Sequence, residues 1–233
     1  MTHLAGELLI TVGALLGLFL LWQLWWTNIE ANSVHEQAVA EMTERFNEPQ
    51  RALDATSTGG DPVVATAPAY GQDIGIIYIP RFGPDYARPV IEGTGPDVLD
   101  TLGIGHYPDT AMPGDTGNFS LAGHRQTNGK VFDLIHTLET GDHIHLRTAQ
   151  GYYTYTVISH KIVAPTHTQV IAPNPENPQA APEQRLLTLT SCHPRYGDAE
   201  RYIVHAELGA WRPTQTGPPP EIATIVAAHT SKE

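Results

Sequence analysis

Apolar residues fall along the chain in three textures. Residues 8–26, LLITVGALLGLFLLWQLWW, contain no charged side chain. As a helix rising 1.5 Å per residue this run is about 28 Å long, matching the ~30 Å hydrocarbon core of a bilayer. Trp22, Trp25 and Trp26 gather at one end, as aromatics do at a membrane interface. The pattern predicts a retained transmembrane anchor over 8–26 behind a short segment, 1–7. A cleaved signal peptide is the alternative. It calls for a basic leading segment, and MTHLAGE has neither Lys nor Arg.

From 27 to 73 apolar positions are sparse. TNIEANSVHEQAVAEMTERFNEPQRALDAT suggests a short helix fraying into linker. STGGDPVVATAPAYGQD is rich in Gly, Pro, Ala and Thr and reads as a flexible tether. Together they form an expected stalk, 27–73.

The third texture begins at Ile74. IGIIYIPRFG, RPVIEGT, GNFSLAGH, HIHLRT, YYTYTVISHKIV, RLLTLTS and RYIVHAEL are strand-like runs bounded by turn formers. DVLDTLGIG, with Val98, Leu99 and Leu102 at helical spacing, and KVFDLIHTL are short helix candidates. The expected fold over 74–211 is mainly β: a closed or nearly closed barrel of about eight strands with short helices. The 212–233 stretch after Trp211 is expected to be a loosely packed tail. PTHTQVIAPNPENPQAAPEQ is a long connection that either walls a groove or is a mobile surface loop.

Composition narrows the function. The formal charge of −12 gives no basic face for a nucleic acid. A single cysteine, Cys192, excludes an internal disulfide framework and a Cys-rich zinc site. The thiol is a buried filler, a redox handle or a nucleophile. It ends the strand LLTLTS and faces the turn HPRYGDAE, so its side chain can reach a surface. Arg201 begins the next strand nine positions on, and lies near Cys192 if the two strands pair. His124 ends another strand, in Gly123-His124-Arg125. These three types suit acyl transfer. An imidazole exchanges the proton of a thiol whose ordinary pKa is near 8.5, and a guanidinium stabilises charge developing on a carbonyl oxygen.

Three segments, LTLTSC, RYIV and LAGHRQTNGKVF, together resemble the signature of the sortases, membrane-anchored cysteine transpeptidases whose motif is TLxTC with an Arg on the following strand and a His far upstream. Ser191 stands where the family usually has Thr. GHYPDTAMPGDTGNFSLAGHR and TSCHP are most similar to class E of high-GC Gram-positive bacteria. The resemblance covers roughly Ile74 to Leu208 and implies a sortase barrel. It implies Cys192 as nucleophile, His124 as proton carrier and Arg201 as substrate clamp, with no cofactor. It also implies cleavage of a C-terminal LAxTG or LPxTG sorting signal after Thr. Transfer then goes to an amine of a lipid II-like cell-wall precursor, by a single-pass membrane enzyme facing outward. Tyr107 of GHYP is implied in selecting Ala, its alternative being a half-buried packing role. Thr190 and Ser191 are the other candidate substrate-binding residues. A cysteine hydrolase using water and a non-catalytic envelope protein with an inert thiol remain the alternatives.

Other candidates compete for these roles. His193 follows Cys192 directly, but neighbouring strand residues face opposite ways. Arg125 would point away from His124 for the same reason, and Arg195 sits in the turn. His143 and His145 alternate in DHIHLRT and share one face. No third ligand accompanies them at a recognisable spacing and no HExxH helix exists, so no metal site is expected.

Overall fold

The computed structural model describes residues 2–47 and 61–230. Eight strands close into a barrel: β1 (Asp73–Tyr78), β2 (Ala87–Glu92), β3 (Ile104–His106), β4 (Gly117–Ala122), β5 (His143–Arg147), β6 (Gly151–Val163), β7 (Arg185–His193) and β8 (Glu200–Pro213). Their order around the barrel is β1-β2-β3-β4-β7-β8-β6-β5, with β5 returning to β1. Two neighbouring pairs, β2/β3 and β4/β7, run parallel, and the rest are antiparallel. Closure removes the open edges that a sheet of this length would otherwise expose.

Inward-facing residues of every strand fill the barrel, among them Ile77, Val90, Ile104, Phe119, Leu189 and Val204. β1 is apolar on both faces, and a strand with that pattern needs cover on its outer side. The cover is helical. α1 (Thr2–Asn47) is one helix of 46 residues, and its second half buries Ala31, His35, Val39, Met42 and Phe46. These recur three or four residues apart, the spacing of a helix stripe. Val39, Met42 and Phe46 pack with Ile76, Tyr78 and Ile91 of the barrel wall. α3 (Ala223–Thr230) completes this outer cluster with Ile225 and Val226, beside Ile222 of the preceding 3-10 turn.

Two expectations are thereby corrected. The expected short helix in the first part of the stalk is the end of one long helix, and it is docked on the barrel instead of standing free. The stretch from Asp61 onward also lies on the surface, with Arg185 on Asp61 at 3.1 Å and Tyr70 donating to Asp97 at 2.7 Å. The tail is not loose, because its three aliphatic residues are buried in the seam. Residues 48–60 of the expected linker lie outside the described residues.

Of the two expected short helices, one forms as α2 (Pro96–Leu99), after Gly95 and with Pro at its first position. KVFDLIHTL instead makes turns and a 3-10 segment at Ile135–Thr137. The first half of α1 exposes Leu8, Leu9, Ile10, Leu15, Leu16, Leu18 and Phe19. Among the described residues no helix is long and apolar enough to cross a membrane. The side chains of Trp25 and Trp26 lie outside the described residues.

Candidate active site

On β7, Leu187 and Leu189 enter the barrel core, so Thr188, Thr190 and Cys192 share the outer face. Cys192 is only partly buried, at the end of its strand. The antiparallel register pairs Cys192 directly with Arg201 of β8, so the two side chains project to the same side. On its other flank β7 runs parallel to β4, pairing Ala122 with Thr190. His124, two residues past Ala122, therefore leaves β4 at the level of Cys192. His124, Cys192 and Arg201 thus come from three adjacent strands at one rim of the barrel.

The turn that carries His124 is held from several sides. The Gly123 N–H donates to Thr190 O at 3.1 Å, and the Ser191 hydroxyl donates to Gly123 O at 2.8 Å. The Phe132 N–H donates to His124 O at 2.9 Å. Only glycine fits at 123, because a Cβ there would stand 2.6 Å from Val131 Cγ2 and 2.7 Å from Phe132 Cδ2. His124 Nε2 lies 2.6 Å from Asp100 Oδ1, just past α2, and Asn128 Nδ2 donates to the same oxygen at 3.0 Å. With Nε2 on the carboxylate, Nδ1 is the nitrogen left for exchange with a thiol or a leaving amine. Asp100 is a site residue that spacing did not suggest.

The three arginines separate by their partners. Arg201 Nη1 donates to the carbonyls of Asp198, at 2.7 Å, and Glu200, at 2.9 Å; it has no carboxylate partner among the described residues. Arg195 is on Asp133 at 2.7 Å. Arg125 does turn away from His124, yet it returns to the site from beneath. It is buried, its Nη1 donates to Cys192 O at 3.2 Å and lies 3.0 Å from His193 Nδ1, and its guanidinium sits 5.7 Å from the Tyr202 ring. Arg125 and His193 thus brace the backbone of Cys192 on the side opposite its thiol.

The expected substrate-binding residues divide. Thr190 donates to Leu121 O at 3.1 Å, so the Tyr107 hydroxyl, 3.0 Å away, donates to Thr190 Oγ1. Both stand on the outer face beside Cys192. Tyr107 is positioned by a buried pair behind it, His106 Nδ1 2.6 Å from Glu92 Oε2, with Thr110 Oγ1 2.8 Å from His106 Nε2. Ser191 is a correction: it faces the barrel interior and spends its hydroxyl on Gly123, so it positions the His124 turn and does not face the groove.

The long connection before β7 is fastened. Asn118 Nδ2 donates to Val170 O at 3.1 Å and Ala172 O at 3.0 Å, and Thr188 donates to Asn118 Oδ1 at 2.7 Å. Because the Thr188 proton is used there, His205 Nδ1, 2.8 Å from Thr188 Oγ1, carries a hydrogen. Burial lowers the His205 pKa to about 4. This cluster ties residues 170–172 to β7, making that part of the connection a fixed wall. A separate cavity of about 270 Å³ near Phe46 and Tyr153 contains no residue of β7, β8 or the His124 turn.

Known proteins carry the same framework. The model of the sortase domain matches residues 77–209. Sortase SrtE1 of Streptomyces coelicolor is 33% identical over 221 residues, which is 92% of this chain and 59% of that protein; the chain therefore spans well under two thirds of that relative's length. The SrtA sortase structure from Actinomyces oris is 39% identical, covers 71% of this chain and 96% of its own, and superposes with a TM-score of 0.68. The structure of Sortase E1 from S. coelicolor, which has a tripeptide in its active site, is 33% identical, covers 67% of this chain and 99% of its own, and has a TM-score of 0.60. The chain belongs to the sortase family and is class E-like within it.

Proposed function

We propose that this chain cleaves a C-terminal sorting signal of the LAxTG or LPxTG type between Thr and Gly and transfers the surface protein to an amine of a cell-wall precursor. The observation that carries this reading is the direct pairing of Cys192 with Arg201, flanked by the His124–Asp100 pair. Cys192 gives its proton to His124, and its Sγ attacks the Thr carbonyl carbon. The carbonyl oxygen gains the charge, and the Nε and Nη2 donors of Arg201 face it. His124, oriented by Asp100, protonates the departing Gly amine, and the C–N bond breaks to leave a thioester on Cys192. An incoming amine then loses its proton to His124, attacks the thioester and releases the thiol. Tyr107 and Thr190 line the approach to the thiol, where a small Ala side chain of the signal is accommodated. The bound tripeptide of the S. coelicolor relative supports peptide recognition at this rim.

Residues 8–26 are proposed as the membrane anchor that leaves the barrel outside the cell. The support is an uncharged run whose apolar side chains, among them Leu8, Leu9, Ile10, Leu15, Leu16, Leu18 and Phe19, are exposed among the described residues.

Incubation with LAxTG and LPxTG peptides, followed by mass analysis of the protein, tests the chemistry. The expected product is a thioacyl adduct on Cys192 that an added amine discharges into a new amide. An adduct discharged by water alone at the same rate would make the enzyme a hydrolase. No adduct with either peptide would overturn the reading. His124→Ala should flatten the pH–rate profile of whatever turnover survives. For the anchor, a mature chain isolated from cells that begins downstream of Trp26 would replace it with a cleaved signal peptide.

A further inference from the structure

The two histidines that lacked a partner in the sequence acquire one in the fold. His143 and His145 project from the same face of β5, their rings 5.8 Å apart. The C-terminal stretch returns across them and brings Glu221, in the 3-10 turn Pro220–Ile222 that leads into α3. Glu221 Oε2 lies 2.7 Å from His143 Nδ1 and 3.1 Å from His145 Nε2. One ligand atom from each of the three residues lies within 4.8 Å of the other two.

We propose that His143, His145 and Glu221 form a site for a divalent transition metal ion of the zinc class, which fastens the C-terminal stretch to the barrel. Two imidazole nitrogens face one carboxylate oxygen, and a shift of that carboxylate opens a position between the three for an ion. Ligand atoms ~2.0–2.1 Å from a tetrahedral Zn²⁺ stand ~3.4 Å apart, so small rotamer adjustments of the exposed His143 and Glu221 suffice. The second sphere is in place: His145 is buried, and its Nδ1 lies 3.0 Å from Thr154 Oγ1. With Nε2 on the metal, Nδ1 carries the hydrogen and donates it to Thr154, which fixes the tautomer and the ring plane. The donor set selects the ion. Imidazole nitrogens suit zinc, copper and nickel, whereas calcium and magnesium want oxygen. His143 and Glu221 are about half exposed, which leaves room for water to complete the coordination.

The position defines what the ion would do. β5 is separated from β7 around the barrel by β6 and β8, so the site takes no part in the chemistry at Cys192. Glu221 adjoins Ile222, which is buried in the seam that α1 and α3 share. An ion held between β5 and Glu221 locks that seam and stabilises only the folded chain.

The test uses the full-length chain in detergent, with Cys192→Ala to remove the competing thiol. Equilibrium dialysis with Zn²⁺ and the visible absorption of added Co²⁺ measure binding. The expected result is one tightly held equivalent, a Co²⁺ spectrum of low coordination number, and an unfolding midpoint that rises with Zn²⁺ concentration. His143→Ala and Glu221→Gln should each weaken binding by at least ~10-fold. His143→Asp, which keeps a ligand, should retain Co²⁺ with an altered spectrum and shows that the site tolerates substitution. No stoichiometric uptake would reduce the cluster to a hydrogen-bonded clamp and overturn the proposal. Uptake that neither substitution changes would place the ion elsewhere and overturn it equally.

Discussion

The rim that carries Cys192 and the seam between α1, α3 and β1 are built on opposite rules. At the rim, polar groups are held in position from behind while their working ends are left open. Arg125 braces the Cys192 carbonyl, Asp100 holds one nitrogen of His124, and Arg201 has no carboxylate partner among the described residues. At the seam, Val39, Met42, Phe46, Ile76 and Ile225 satisfy one another by contact alone. The rim is therefore expected to set the rate, and the seam to set stability with no bearing on rate. Substitutions in the two regions should move different observables.

The largest effect belongs to the thiol. Cys192→Ala should abolish turnover of a sorting-signal peptide, with the unfolding midpoint unchanged or raised. Retained turnover would remove the nucleophile from the rim. Next is Arg201→Lys, which keeps the charge and loses the planar fork. Loss of one oxyanion-type donor lowers kcat by ~10²–10³. Steady-state kinetics with a quenched peptide should show that fall with stability unaltered. Near-normal kcat/KM in the lysine variant would mean that the paired guanidinium is not the clamp.

The seam gives the converse. Met42 is buried against the barrel wall, and its truncation to Ala leaves a cavity there. Such changes cost about 2–5 kcal/mol. Denaturant titration should show this loss, while kcat/KM measured well below the midpoint stays at the wild-type value. A rate that falls together with the stability would show that the seam and the rim are coupled, and the contrast would fail.

The same two regions differ in how far the sequence revealed them. At the rim, alternation in LLTLTSC and RYIVHAEL puts Arg201 near Cys192 on condition that the two strands pair, and the fold supplies that pairing and its register. Asp100 was hidden because it lies 24 residues from His124 and only the fold closes that gap. Arg125 was hidden because strand alternation says which side a residue leaves from and not where a long guanidinium ends. β3 was hidden as well. It has three residues with a glycine at its centre, and its pairing with β2 and β4 is a tertiary fact. At the seam, two of the five buried stripe positions are Ala31 and His35, which mute the apolar signal of α1. A cue was nevertheless present, since IGIIYI is apolar on both faces and so requires an outer cover. Glu221 lies 76 residues from His145 and had no local signal.

His35 sharpens the contrast through pH. It is fully buried on α1, and burial, with a smaller push from Arg88, lowers its pKa to about 4. The unfolded chain takes up a proton near the ordinary value of 6.5, and the folded chain does not until about 4. The unfolded state therefore binds more protons between those values, and stability falls as the pH drops through this window. The linkage predicts about 2 kcal/mol lost from this group between pH 7 and pH 5. Chemical denaturation of wild type and His35→Leu at both pH values checks it. The variant should lose less stability on acidification than the wild type, and an equal loss in both would clear His35 of the effect.

The smallest effect is expected at Arg195, and it decides what being at the rim means. Arg195 lies in the turn that joins β7 to β8, three residues from Cys192, as close along the chain as any cation in the site. Its guanidinium is committed to Asp133 at 2.7 Å, in the open, with about half of the side chain exposed. Exposed pairs of this kind contribute little, because water and salt screen them and ordering two long side chains has an entropic cost. If activity follows nearness to the thiol, Arg195→Ala should resemble Arg201→Lys. If it follows donors left open toward the substrate, Arg195→Ala should keep kcat/KM within about twofold of the wild type and leave the unfolding midpoint in place. The second outcome is expected, since Arg201 is paired in register with Cys192 and Arg195 is turned toward a carboxylate on another loop. An inactive Arg195→Ala enzyme that folds normally would mean that the turn arginine reaches the substrate, and the clamp would have to be reassigned to it.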